Sequence, residues 1–371
     1  MNFALTLSLY IARQFTYAVL AVIAFLTGLI TLFDFIDLLR RVSTRPNVPA
    51  SLVSEIAMLH IPFAMLEILP FGVLLGGIIC FWRLARSSEL VVARAAGISA
   101  WQFLTGPVGC AVLIGTLSTT VVSPLSSAMY RRAEILDQQY LRDNTGKALN
   151  MSGGTLWLRQ SDNGLTDHGV AIIHARHVKL QGNVMRISDI SVYRLDGHDR
   201  MLARIEAGRG YLGNGRWVLD EARLLRPDEN PVDMGHMTLP ADLTLAGVQD
   251  SFASPNTLSV WALPGFIKLL NHSGFSSIRH RLRFQSLLTL PILCGTMALV
   301  AAGFSMRPAR RGGVVRMISL GVGAGFALFA ISKIAAQFGE SGALPPVLAA
   351  WAPTGAGLCL AVSLLLHLED G

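Results

Sequence analysis

Long apolar runs flank a stretch in which apolar and polar residues alternate, and this contrast defines the elements. Phe15 to Phe33 carries no ionised side chain over 19 residues, a length that crosses a hydrocarbon core of about 30 Å as a helix. A second run, Ile56 to Trp82, is interrupted by His60, Pro62, Glu67 and Pro70, and its prolines predict a kink. A third extends from Ile98 to Tyr130, with Pro107 and Pro124 near its bounds. The fourth is Phe284 to Met306, the fifth starts at Met317 and is broken by Lys333, and the sixth is Leu344 to Leu366. Between the third and fourth runs the period changes to two. Thr155 to Arg159, Val170 to Leu180, Met185 to Arg194 and Met201 to Leu225 read as strands, and Asn214-Gly215 splits the last into a hairpin. The expected fold is therefore six transmembrane helices with an inserted all-β domain, a sandwich or open jelly roll. The expected division is 1–130, 131–272 and 273–371.

Composition sharpens the class. With 52% hydrophobic and 15% charged residues and a mean hydropathy of +0.49, the chain belongs with integral membrane proteins. Sixteen of its 24 acidic residues lie between Pro124 and Ser277, so the polarity is concentrated in the insert. The first run exceeds the apolar core of a signal peptide. It is followed by Asp34, Asp37 and Arg40 without a small-residue cleavage site, which makes it a span. The net charge of +7 comes mostly from arginines at the ends of apolar runs. That placement speaks for topology and headgroups and against nucleic acid. Cys80, Cys110, Cys294 and Cys359 all fall in apolar runs, so neither a disulfide framework nor a zinc site is readable.

The arginines orient the chain. With the N-terminus inside, cytoplasmic short loops and ends hold Arg13, Arg83, Arg86, Arg94, Arg307, Arg310, Arg311 and Arg316, against Arg40, Arg41 and Arg45 on the other side. The excess puts both termini in the cytoplasm and the insert outside it. The charged segment Arg83 to Gly97 then faces the cytoplasm. Ser87 or Ser88 can cap a short helix there, Glu89 suits its first turn, and Gly97 can stop it. So short a helix needs a membrane surface or a partner, though an ordinary charged loop would read the same way. Glu67 is costly at its depth unless it faces the bundle interior or water. Gly72 with Gly76, and Gly321 with Gly325, have the spacing that lets helices approach closely.

No catalytic constellation emerges. Gly208-Arg-Gly210-Tyr-Leu-Gly213 matches a dinucleotide fingerprint, but a hairpin follows where the pyrophosphate needs a helix N-terminus. Gly146-Lys147 lacks the remaining residues of a nucleotide-binding loop. His168, His174, His177 and His198 are scattered through the strands. The chain is expected to be a permease driven from outside itself, with no catalytic or metal-binding residues and no cofactor of its own.

The stretch ARSSELVVARAAGIS, preceded by ILPFGVLLGG, strongly resembles the lipopolysaccharide-export permease family, the paired LptF and LptG proteins. The resemblance extends to FIDLLRR at the end of the first span, the β insert, the glycine-rich fifth span and the closing ALPPVLAAW. The SELVV form and the LPP segment resemble the LptG half more closely. The resemblance implies an ABC transporter in the inner membrane of a Gram-negative bacterium. In it, a second homologous six-helix permease and a cytoplasmic ATPase dimer carrying ATP and Mg work with this chain. Lipopolysaccharide leaves the membrane for a periplasmic bridge, or a single-span jelly-roll protein, of similar β domains. Carried onto this sequence, Glu89 matches the glutamate of the ATPase-coupling helix, with Arg86, Ser88, Leu90 and Arg94 around it. Arg40 and Arg41 match the basic pair where substrate enters. Asp34 departs from the pattern, since the family has a basic residue near there.

Charge supports a phosphate-bearing substrate independently. Arg40, Arg41, Arg45, Asp37, Arg279, Arg281 and Arg283 fall near the outer membrane surface, with Lys333 inside the fifth span. Arginine forks there suit phosphate, although after a translocated domain Arg279 to Arg283 can also simply end a helix. Acyl chains are expected along the inward sheet face at Leu156, Leu158, Ile172 and Val192, positions that read equally as ordinary core. Two other readings stand beside this one: another ABC permease, of a lipoprotein-release or mechanotransmitting type, and a membrane enzyme using Asp34 and Asp37.

Overall fold

A computed structural model of the chain describes residues 2–43, 49–87, 99–137, 140, 148–152, 155–162, 169–181, 184–196, 200–213, 215–227, 229–241, 254–272, 276–305 and 314–369. In chain order the helices are α1 (Asn2–Val42), α2 (Ala50–Arg86), α3 (Ala100–Leu117), α4 (Ser123–Leu136), α5 (Leu263–His272), α6 (Ile278–Ser305), α7 (Val314–Glu340) and α8 (Pro346–Glu369). Seven strands lie between α4 and α5: β1 (Ala148–Ser152), β2 (Thr155–Ser161), β3 (Val170–Gln181), β4 (Val184–Leu195), β5 (Met201–Gly213), β6 (Arg216–Leu225) and β7 (Val232–Pro240). Two compact units result. One comprises Met1–Asp137, Asn256–Leu263 and Ile278–Gly371; the other comprises Gln138–Pro255 and Pro264–Ser277.

Among the described residues, the first unit contains six helices long and apolar enough to cross a membrane. They overrun the apolar runs that announced them, because a helix continues past the hydrocarbon while its backbone stays paired. Pro62 and Pro70 sit inside α2, which nonetheless remains one helix from Ala50 to Arg86. A π-helical turn at Ser118–Val122 joins α3 to α4. Here Thr119 donates to the Leu287 carbonyl at 3.0 Å, and the Trp261 indole donates to the Thr120 carbonyl at 3.4 Å. One side-chain donor thus ties the π-turn to α6, and another satisfies a carbonyl of the turn where the regular ladder shifts.

Helix α6 is central and largely buried, whereas α1 and α7 are mostly uncovered and leave apolar faces outward. The glycine pairs mark helix contacts. A Cβ on Gly76 would stand 2.5 Å from the Val19 Cα, and one on Gly72 would stand 2.6 Å from Ile23 Cγ1, so this pair is the seat of α1 on α2. Gly321 faces Phe304 and Gly325 faces Leu74, which seats α7 against α6 and α2. Phe15, Val19, Leu69, Leu74, Phe81, Cys294 and Met297 are buried in the same core.

In the second unit the strands pair antiparallel in sequence order, β1 through β7, as a single meander. The inserted all-β domain is present, and its described strands form one sheet that follows sequence order. The sandwich-like character comes from curling. Trp217 on β6 donates to the Gln160 amide oxygen on β2 at 3.2 Å, and the Gln160 amide donates to the Pro240 carbonyl at the end of β7 at 2.8 Å. Strands four positions apart stand about 19 Å from one another in a flat sheet. Contact at hydrogen-bond distance therefore means that the sheet coils until its two halves face each other. Leu156, Leu158, Ile173, Val192, Ile205, Leu212, Trp217 and Leu239 fill the space between, and Leu270 and Phe266 of α5 pack into the same core. Ile172, expected on the inward face, lies on the other one, since Ala171 and Ile173 take the buried positions of β3. A buried Arg194–Asp162 pair joins the end of β4 to the residue after β2. Arg194 Nε and Nη2 both donate to the carboxylate, the second at 2.9 Å.

Gly76→Val places branched carbon where the α1 backbone lies. It is expected to destabilise the purified protein by about 1–3 kcal/mol or more, read as a lower unfolding midpoint in detergent. Gly109→Val, at a glycine with nothing within 4 Å of an added Cβ, should leave the midpoint nearly unchanged.

Candidate functional site

Helices α1 and α2 run antiparallel in a fixed register. Phe15 meets Phe81 with ring centroids 5.9 Å apart, Val19 faces Gly76, and Ile23 faces Gly72. The same register, continued outward, brings Asp34 to His60, whose Nδ1 is 2.8 Å from Asp34 Oδ2. Arg13 and Asp34 bracket the charge-free run and are separated by about 31 Å along the helix, the thickness of a hydrocarbon core. Asp34 and His60 therefore lie at one boundary of that slab. Glu67 lies two turns further along α2, roughly 10 Å into it.

Glu67 is paired there. Lys333 of α7 donates to its Oε1 at 3.1 Å, and the ammonium also sits 5.7 Å from the Phe329 ring centroid. Arg283, in the second turn of α6, lies with its guanidinium 5.6 Å from the Phe63 ring centroid and within electrostatic range of Glu67 and Tyr130. Tyr130 of α4 packs on Phe63 at 4.7 Å and on His60 at 5.4 Å. Five helices thus converge on one polar cluster: Asp34, His60, Glu67, Tyr130, Arg283 and Lys333, with Phe63 as its platform. The arrangement holds two cations beside one carboxylate at a depth where isolated charges are costly.

The other expected residues lie around this cluster or outside the described residues. Arg40 and Arg41 are exposed in the last turn of α1, and Arg41 donates to Asp37 at 2.6 Å. Arg279 and Arg281 are exposed in the first turn of α6. Arg45 lies outside the described residues. Asp34 and Asp37 have separate partners, and among the described residues no group of three His, Cys, Asp or Glu side chains could hold a metal. At the opposite end of α2, Arg86 is exposed and sits 5.7 Å from the Trp82 ring centroid. Ser87 caps the C-terminus of α2 through its N–H to the Arg83 carbonyl, so Arg83 to Arg86 are the last turn of the second span. Ser88, Glu89, Leu90 and Arg94 lie outside the described residues.

His60, Phe63 and Tyr130 did not emerge from the sequence as site residues. Their signal is nevertheless readable on α2, where His60, Phe63, Glu67, Phe71 and Leu74 recur at helical spacing as one stripe. That stripe faces α1 at its outer end and α7 below it.

Six apolar spans, an inserted β domain and charges gathered at one end of the bundle describe a multi-pass membrane permease. Residues 9–367 match the family of the lipopolysaccharide export system permeases LptF/LptG, and the chain belongs to that family. It is similar to the lipopolysaccharide export system permease protein LptG of Haemophilus influenzae, at 24% identity over 94% of this chain and 95% of that protein. It is also similar to LptG of Escherichia coli K12, at 22% identity over 96% and 97%. The chain is thus a transport subunit of the lipopolysaccharide export type.

Phe63 joins Arg283 to Tyr130 from a half-buried position, so Phe63→Ala removes the platform. The expected loss is about 1–3 kcal/mol, measured as denaturant unfolding in detergent, with Phe63→Leu retaining most of the packing.

Proposed function

We propose that this permease is the LptG-like half of a heterodimer that lifts lipopolysaccharide from the outer leaflet of the inner membrane and passes it to a periplasmic bridge. The observation that carries the reading is the distribution of cations. Arg40, Arg41, Arg279 and Arg281 lie at the ends of α1 and α6, while Arg283 and Lys333 lie within the spans themselves. A phosphorylated lipid presents its anions at that level and its acyl chains below it. Guanidinium forks bind the phosphates, and the apolar outward faces of α1 and α7 offer hydrocarbon contact. Removing acyl chains from the bilayer costs about 0.8 kcal/mol per CH₂, so an apolar path must replace most of that contact before a motor supplies the rest.

In this reading the termini are cytoplasmic, 1–130 and 273–371 form the membrane part, and 131–272 is periplasmic. The motor is a partner ATPase dimer, which binds ATP and Mg. It docks on the end of α2 and the segment after it, where Arg86, Ser88, Glu89, Leu90 and Arg94 make the contact and Glu89 is the principal group. Closure of the ATPase drives that segment, and α2 carries the movement up to Glu67 and His60. Arg45 completes the basic rim with Asp37, which orients Arg41.

Purification in mild detergent tests the whole reading: an ATPase, a second six-span permease and lipopolysaccharide should accompany this chain, and their absence removes the assembly. Glu89→Ala should lower the ATPase recovered with the permease while leaving the unfolding midpoint unchanged; normal recovery with normal ATP-driven export would end the coupling role. Arg40→Glu with Arg41→Glu should cut photo-crosslinking to lipopolysaccharide severalfold, and an unchanged yield would take the pair out of the substrate path.

A further inference from the structure

The seam between α2 and α7 changes character along its length. Ile78 and Leu74 of α2 close on Gly321 and Gly325, Phe71 then meets Phe326 and Phe329 at 6.4 and 6.1 Å, and Glu67 meets Lys333 at the outer end. Close packing and aromatic contact already join the two helices. An apolar pair at the last position would cost less in a hydrocarbon slab than two charges. This chain also leaves the pair uncovered on one side, since the Lys333 and Glu67 side chains keep 49% and 39% of their surface exposed. A pair that is dispensable for packing and open on one side is suited to exchange.

Resting on the substrate role proposed above for Lys333, we infer that Glu67 is a resident counter-ion, which holds Lys333 in the empty permease and yields it to a phosphate of the incoming lipid. Two features make the exchange feasible. The Phe329 ring 5.7 Å from the ammonium keeps Lys333 in position after the carboxylate lets go. Arg283, within electrostatic range of Glu67, offers the released carboxylate a second cation, so no bare charge is stranded in the slab. Glu67 then acts as a threshold: a ligand must carry an anion strong enough to displace it, and a neutral glycolipid with the same acyl chains does not. Once cargo leaves, the carboxylate resets the site.

The test is a titration of the assembled, detergent-solubilised transporter with purified lipopolysaccharide and with lipopolysaccharide stripped of its lipid A phosphates. Glu67→Gln should tighten binding of the phosphorylated form by roughly tenfold, a coupling of ordinary size, and Glu67→Asp should do so to a smaller extent. The stripped form should show no gain. Lys333→Gln should weaken binding and abolish the effect of Glu67→Gln in the double variant. Unchanged or weaker binding in both Glu67 variants, or a gain that persists without Lys333, overturns the counter-ion role while leaving the substrate role of Lys333 intact. Wild-type affinity in Lys333→Gln alone overturns that substrate role as well. Glu67→Asp keeps the charge, so it reads the exchange even if the neutral variant fails to assemble.

Discussion

The approach of α1 to α2 through Gly72 and Gly76 governs what the outer end of the bundle can do. At Gly76 the two helices come so near that a single Cβ would overlap the Val19 backbone. Contact that tight fixes both the separation and the register, because close-packed helices cannot slide by less than a residue without clashing. The register then determines that Asp34 opposes His60 some 20 Å away. It also aims the Glu67 side of α2 at α7. A polar cluster built from five helices has no local sequence logic; its geometry is inherited from an apolar seam deeper in the membrane.

The insert solves a different problem by a related means. Among the described residues the sheet is a seven-stranded meander in sequence order, and a flat sheet of that kind leaves one face of its apolar residues uncovered. Coiling lets one sheet serve as both layers of its own core, and the Gln160 side chain ties the coil by accepting from Trp217 and donating to the Pro240 carbonyl. Both polar ends of the amide are used, so its burial is compensated. The Arg194–Asp162 pair is likewise bidentate. Buried polar groups with full partners favour one arrangement of strands over near alternatives, which an all-apolar meander would specify less strictly.

Much of the architecture was legible. The six apolar runs needed only length, and the strand boundaries from Thr155 to Leu225 followed from period two and turn residues, because both signals are local. β1, β7 and α5 were missed for physical reasons. β1 spans only Ala148–Ser152, and in β7 the alternation of Val232 and Met234 slips by one residue at Gly235, where φ is positive and the register shifts, before Met237 and Leu239 resume it. The site was legible only in part. Lys333 and Glu67 stood out as ions inside apolar runs, and Arg283 only as one of three arginines ahead of the fourth run, yet nothing local joins residues 67, 283 and 333. Their meeting depends on helix order around the bundle. Phe63 and Tyr130 were invisible because an aromatic in a membrane span is ordinary until its ring is seen beneath a cation.

On the substrate role proposed for these cations, their placement in the membrane unit separates two tasks that one cluster could not perform together. Exposed arginines at the ends of α1 and α6 are solvated, so they attract an anion at long range and release it readily. Cations sunk in the slab bind far more strongly, since the local dielectric is low, and left bare they would hold an anionic lipid too tightly to let it go. A carboxylate within reach of both Lys333 and Arg283 moderates that attraction without removing it. The strongest binding is then reserved for a ligand that brings its own negative charge to the right depth. Transport requires that the site be vacated in every cycle, and a built-in anion lowers the cost of vacating it. On the proposed exchange the ion pair belongs to the empty state, and its stability sets how firmly the cargo is held.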